Sequence, residues 1–227
     1  MRGDSITTIK SYGYIIFAAC FTIQAVGIGS YVAYGVFFNA LMSEFQWSRA
    51  TISGASSLAF FMMGFTGMLI GRLNDLYGPR LLMSVTSLFF GAGLILMSQV
   101  NSVLQLYLFY GVLLGIGLSS IDVIALTTIA RWFALRRGAM TGLVKVGTGA
   151  GQFTIPLIAS FLIGVVGWRQ TFLIIGLAAS FILFCVAQIL KRDPYEYQPI
   201  SRRDSSSSQQ IGKCEDTSLS FEKTRKT

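Results

Sequence analysis

Apolar residues along the chain fall in six long runs bounded by charged or turn residues, at positions 14–38, 50–70, 81–98, 104–129, 138–164 and 171–190. A bilayer core of about 30 Å takes roughly 20 apolar residues in a helix, so each run is long enough to cross. Short connections leave little room for a globular extramembrane domain. The pattern predicts an all-α membrane protein: a segment over 1–13, a six-helix transmembrane bundle over 14–190, and a tail over 191–227. In that tail charges return, Ser205 to Ser208 form a serine run and apolar residues thin out, the composition of a flexible solvated segment. The first run follows Lys10, as a secretory signal would. It is longer than such a signal, contains Gln24 and precedes five further runs, so it reads as a retained helix.

Composition agrees with that pattern. Over 227 residues, 53% are apolar and only 12% charged, with a mean hydropathy of +0.62. Polar residues are too few to coat a water-soluble globule of this size. Histidine is absent, which removes the commonest general base, metal ligand and near-neutral proton carrier together, so proton chemistry falls to carboxylates or lysine. Cys20, Cys185 and Cys214 form no C-x-x-C and indicate neither a disulfide framework nor a metal site. No cofactor motif and no nucleophile–base constellation is present, so the sequence points away from an enzyme.

The charge of +8 raises the question of nucleic acid, and its placement answers it. With the N-terminus inside, fifteen of the eighteen Lys and Arg lie in inner segments, including Arg72, Arg80, Arg131, Arg136 and Arg137. The outer loops hold only Arg49 and Arg169, and Lys145 lies within a span. Positive residues accumulate in cytoplasmic loops, so the basic balance reads as an orientation signal that puts both termini in the cytoplasm of a cell-membrane protein, with no nucleic-acid partner.

Three constellations carry candidate chemistry. The first is the stretch from Gly71 to Arg80, expected as the short inner loop between spans two and three. Gly71 and Gly78 permit tight turns, Pro79 suits the first turn of the next helix, and Asp75 lies among Arg72, Arg80 and Arg131. It reads as a charged latch; a plain hairpin with positive-inside arginines would leave the acid between two glycines unexplained. The second is Asp122 with Lys145, the two formal charges inside spans. Asp122 precedes Arg131 by nine residues and Lys145 follows Arg137 by eight, so both are expected near the midplane, at similar depth on consecutive antiparallel helices. Such charges are costly in lipid and imply a partner and a role. They are either an ion pair facing a cavity, where an anion competes for Lys145 and protonation of Asp122 frees it, or a structural pair joining spans four and five. The third is helix packing: Gly147 and Gly151 form a G-x-x-x-G with Pro156 beyond, as close-packing and bending elements. Tyr31 and Tyr34, three apart on one helical face, offer hydroxyls to a carboxylate or serve as packing aromatics.

The loop Gly71-x-Leu73-x-Asp75-x-x-Gly78-x-Arg80 resembles the signature of the major facilitator superfamily. The stretch from Arg131 to Leu143, with Gly147, Gly151, Gly167-Trp168-Arg169 and Arg192-Asp193-Pro194-Tyr195, resembles the monocarboxylate transporter branch and its oxalate/formate antiporter relatives. The resemblance implies the N-terminal six-helix half of a twelve-helix fold, built as two triplets, with 191–227 as the central loop. Spans one and four carry related glycine motifs, at Gly27 and Gly29 and at Gly115 and Gly117. It further implies secondary transport of a small organic anion such as a monocarboxylate by alternating access, coupled to protons or a counter-anion, with a second six-helix half as possible partner. Span one lacks the lysine that animal monocarboxylate carriers place there and offers Gln24, Tyr31 and Tyr34 instead. The competing reading is a truncated or non-transporting membrane protein acting as an assembly partner or sensor.

Overall fold

The computed structural model describes residues 2–133 and 136–190; the tail expected over 191–227 and Cys214 lie outside them. The described residues are helical almost throughout, without a strand. This follows from the solvent: a backbone crossing hydrocarbon must satisfy its own N–H and C=O groups, and a helix does so within one segment. The elements are α1 (Arg2–Val32), α2 (Tyr34–Phe45), α3 (Arg49–Tyr77), α4 (Pro79–Met97), α5 (Val103–Leu106), a π-helical stretch (Tyr107–Leu114), α6 (Gly115–Trp132), α7 (Arg137–Val166) and α8 (Trp168–Ile189). They make six membrane-length spans: 12–45, 49–77, 79–97, 103–132, 137–166 and 168–189.

Most spans run past the apolar stretches because their ends are built from polar and capping residues that an apolar count skips. Ser48 starts α3, its hydroxyl accepting from Thr51 N at 3.1 Å, and Ser102 starts α5 in the same way through Gln105 N at 3.3 Å. The segment from Gly71 to Arg80 is mostly helix rather than loop. Helix α3 continues to Tyr77, Gly78 alone makes the turn, and Pro79 opens α4. Gly78 has φ 84° and ψ 162°, a conformation open essentially to glycine alone. Gly71 makes no turn, and a side chain there would meet nothing within 4 Å.

The most extensive packing joins the first span to the fifth, the second to the fourth and the third to the sixth. Exchanging the triplets turns the first–fifth pair into the fourth–second pair and leaves third–sixth unchanged. The turns obey the same exchange: Gly167 between spans five and six has the φ 84° and ψ 162° of Gly78 between spans two and three. Each glycine is followed by one residue and an arginine, Arg80 or Arg169. Arg80 reaches from the start of the third span to Gln188 at the end of the sixth, at 2.8 and 3.0 Å. Arg169, from the start of the sixth, reaches the Ser98 carbonyl at the end of the third, at 3.1 Å. The bundle is thus two three-helix units.

Candidate functional site

A polar cluster holding the ion pair lies where the first, fourth and fifth spans meet. Two glycine seams create it. A side chain at Gly147 would press on the Phe21 carbonyl at 2.7 Å, and one at Gly151 would run into the Ala25 carbonyl, so α7 lies directly against the backbone of α1 on either side of Gln24. Gly27 gives the same closeness to α6, where an added Cβ would collide with Ile121, the neighbour of Asp122.

With the backbones this near, four side chains connect. Lys145 Nζ donates to Asp122 Oδ1 at 2.6 Å. Gln24 Nε2 donates to the same oxygen at 2.8 Å, and the Thr148 hydroxyl donates to Gln24 Oε1 at 2.9 Å. Thr148 follows Lys145 by three residues, hence shares its face of α7. The Lys145 and Asp122 side chains remain 41% and 28% exposed, whereas Gln24 is fully buried. The ion pair is therefore partly exposed instead of being sealed between helices. Asp122 lies ten residues from the end of a span of 30, and Lys145 is the ninth residue of another span of 30. Both thus stand about 12–15 Å from the signature-loop end, at similar height on consecutive antiparallel helices.

At that end Arg131 Nη2 donates to Asp75 Oδ1 at 2.6 Å, joining the second and fourth spans, with the two side chains 33% and 65% exposed. Arg72 is exposed on the last turns of α3. Arg80 turns instead to Gln188.

Tyr31 and Tyr34 lie elsewhere. Their hydroxyls donate to the Ser56 and Ile52 carbonyls of α3, at 3.1 and 3.0 Å, and both rings stack on Tyr110, with centroids 5.9 and 3.9 Å away. Both side chains are buried and their donors are used, so the structure gives them a packing place and no free hydroxyl for a carboxylate. Tyr110 in turn donates to the Tyr31 carbonyl at 2.8 Å, next to Ala33, where the first span's helix is interrupted. Both polar atoms of Gln24 are likewise engaged, with Asp122 and Thr148. Helix α7 continues unbroken through Pro156.

The sequence reading missed the opposite end. Glu44 accepts from Trp168 Nε1 at 2.5 Å and from Arg169 Nη2 at 2.9 Å, while Arg169 also bonds Asn101 Oδ1 at 3.3 Å and stands 4.6 Å from the Trp168 ring centroid. An acid at the far end of span one, matched to the lone arginine of the loop before span six, was the available signal.

A six-span helical bundle of two paired triplets, with an ion pair between its spans, defines an integral membrane protein. The Major Facilitator Superfamily profile matches residues 15–220, and the chain belongs to that superfamily. It is 32% identical over 208 residues to monocarboxylate transporter 2 of Mesocricetus auratus, covering 92% of this chain and 42% of that protein. It is 33% identical over 178 residues to human monocarboxylate transporter 1, covering 74% and 35%, and 30% identical over 215 residues to the MFS-type transporter opdF of Penicillium oxalicum, covering 88% and 48%. The chain thus spans less than half the length of these relatives. An inward-open structure of the xylose transporter XylE from E. coli superposes with a TM-score of 0.67 at 16% identity, over 92% of this chain and 56% of that one, a likeness of fold.

Proposed function

We propose that this chain forms the N-terminal six-helix half of a secondary transporter for small organic anions, with monocarboxylates as the leading class. The observation that carries the reading is the Lys145–Asp122 pair at 2.6 Å, set between the fourth and fifth spans yet partly exposed. An ammonium so placed attracts an anion, and its carboxylate partner is the group an anion must displace. Asp122 and a monoanion compete for the same cation, so a proton on Asp122 removes the competitor and keeps the site's charge balanced. Substrate and proton then enter together, or one anion replaces another. The names of the monocarboxylate transporters among its relatives support the substrate class.

The Asp75–Arg131 pair serves as a latch at the cytoplasmic end, and both termini face the cytoplasm, on the strength of the arginine distribution. Gly147, Gly151 and Pro156 make α7 a close-packed helix able to bend. The test is uptake of a labelled monocarboxylate into proteoliposomes, with and without an inward proton gradient. Flux that Lys145→Ala abolishes and that Asp122→Asn uncouples from pH supports the reading; no flux above empty vesicles refutes transport by this chain alone. A second reading, a unit that works only with another six-helix half, is favoured by the large apolar side chains that α3 and α7 expose, such as Phe61, Met68, Phe153 and Phe161.

A further inference from the structure

We infer that Gln152 is a second station for the anion: its amide NH2 takes the carboxylate at the middle of the fifth span, and the bare backbone at Gly149 leads the anion from there to Lys145. The inference rests on the reading of Lys145 as the anion's partner given above. Helix α7 presents three faces. One carries Val144, Gly147 and Gly151, all buried, with the two glycines against α1. A second carries Leu143, Phe153, Leu157 and Phe161, large apolar side chains each more than half exposed, and suits hydrocarbon or another apolar helix. The third carries Lys145, Gly149 and Gln152, spaced by four and then three residues and hence in one line along the helix. All three are exposed.

A line of this composition is out of place in lipid. Gln152 is the sixteenth residue of a span of 30, in its middle, where an unsatisfied polar group costs most. Among the described residues nothing bonds its amide. Its main chain raises the same demand, because Pro156 has no N–H to give to the carbonyl four residues before it, which is that of Gln152. Helix α7 nevertheless runs unbroken past this point, so a side-chain amide and a main-chain acceptor call for partners at one place in mid-span. Water on this face supplies both. The line then has the parts an anion needs. Gln152 offers two N–H donors and no charge, so it holds a carboxylate without fixing it. Lys145, two turns or about 10 Å nearer the signature-loop end, offers the ammonium. Gly149 lies between them, and a Cβ there would meet nothing within 4 Å, so no side chain stands in the way. A three-carbon acid is too short to touch both groups at once and occupies them in turn, waiting at Gln152 while Asp122 still holds Lys145.

The experiment measures the rate at which an anionic thiol reagent, sulfonatoethyl methanethiosulfonate, modifies Gly149→Cys in the full chain in liposomes, with Cys20→Ala, Cys185→Ser and Cys214→Ser as background. The site has room for the new side chain, and Gln152 and Lys145 both stay in place. A thiol in hydrocarbon does not ionise, so Gly149→Cys is expected to react at least about tenfold faster than Phe153→Cys, one turn away on the apolar face. Pyruvate is expected to slow the reaction at Gly149→Cys. Adding Gln152→Leu is expected to raise the pyruvate concentration for half protection by about tenfold, the equivalent of one hydrogen bond to a charged group. Equal rates at Gly149→Cys and Phe153→Cys would show that lipid or another helix covers the line, and would overturn the inference. Protection that Gln152→Leu leaves unchanged overturns it as well, while the reading of Lys145 stands. No protection by pyruvate even with Gln152 and Lys145 intact refutes the anion reading of Lys145 and this inference together.

Discussion

Replacing Gly151 by alanine exchanges a hydrogen for a methyl group where the fifth span lies directly against the first. The new Cβ would overlap the Ala25 carbonyl oxygen and stand 2.6 Å from its carbon and 2.7 Å from the Ala25 Cα, all backbone atoms that cannot rotate away. Ordinary carbon contacts begin near about 3.5 Å, so the two helices must part by about an ångström. The Thr148–Gln24 bond, 2.9 Å long and one turn away, then stretches out of range. Overpacking costs about 1–3 kcal/mol and one lost hydrogen bond about 1 kcal/mol, against a gain of up to about 1 kcal/mol from the better helix propensity of alanine. The net loss is about 1–3 kcal/mol. Gly142 supplies the control on the same helix: a side chain there meets nothing within 4 Å, so Gly142→Ala keeps the propensity gain alone. Reversible unfolding of the chain in mixed micelles of dodecyl maltoside and SDS measures both. Equal stability of the two variants would show that the seam between the first and fifth spans is not as close as described, and the origin of the cluster around Gln24 would have to be sought elsewhere.

Asp75→Asn removes the charge opposite Arg131 and is expected to reduce uptake in proteoliposomes while leaving membrane insertion and unfolding midpoint nearly unchanged, since an ion pair this exposed contributes at most about 1 kcal/mol; normal turnover would remove the latch. Gly167→Ala is expected to cost about 1–3 kcal/mol in the same unfolding assay, because its φ of 84° is strained for any side chain even though the space around it is open; no loss would place the turn in another conformation. Labelling of Ser102→Cys by an impermeant maleimide is expected from outside intact cells, and labelling only after permeabilisation would reverse the topology.

Which parts of this were legible in the sequence follows from how local each one is. The six spans announce themselves because lipid demands an uninterrupted apolar length, and Gly78-Pro79 marks its turn because the backbone there excludes other residues. The Asp122–Lys145 pairing was also within reach, since two helices joined by a short connection place residues equally far from it side by side. Gln24–Thr148 and Glu44–Arg169 were not. Each bridges helices more than a hundred residues apart, and their meeting depends on how each helix is rotated about its own axis. The same rotation decides Tyr31 and Tyr34: spacing puts both on one face, but only packing shows that this face meets α3 and Tyr110. The π-helical turn at Tyr107–Leu114 has no compositional sign at all.

The two ends of the bundle share a plan and differ in strength, which leads to a last expectation. Arg80 and Arg169 occupy equivalent places in the two triplets, and each bonds the end of the other triplet's third helix. Beyond that the ends diverge. Arg169 is neutralised by Glu44, which also takes the Trp168 N–H, so one carboxylate ties the first span to the sixth while the guanidinium ties both to the third. Arg80 meets only the neutral oxygen of Gln188 in this way, and the acid of its end, Asp75, spends its charge on Arg131 between the second and fourth spans. Charge-assisted bonds sharing one carboxylate, with an aromatic face beneath the cation, hold more firmly than a pair whose carboxylate side chain is 65% exposed. Glu44→Gln should therefore lower the unfolding midpoint in mixed micelles more than Asp75→Asn does, by about 1–2 kcal/mol against at most about 1 kcal/mol. An equal or larger loss from Asp75→Asn would mean that the end carrying the signature turn is the firmer one, and that opening within this six-helix unit begins at Glu44.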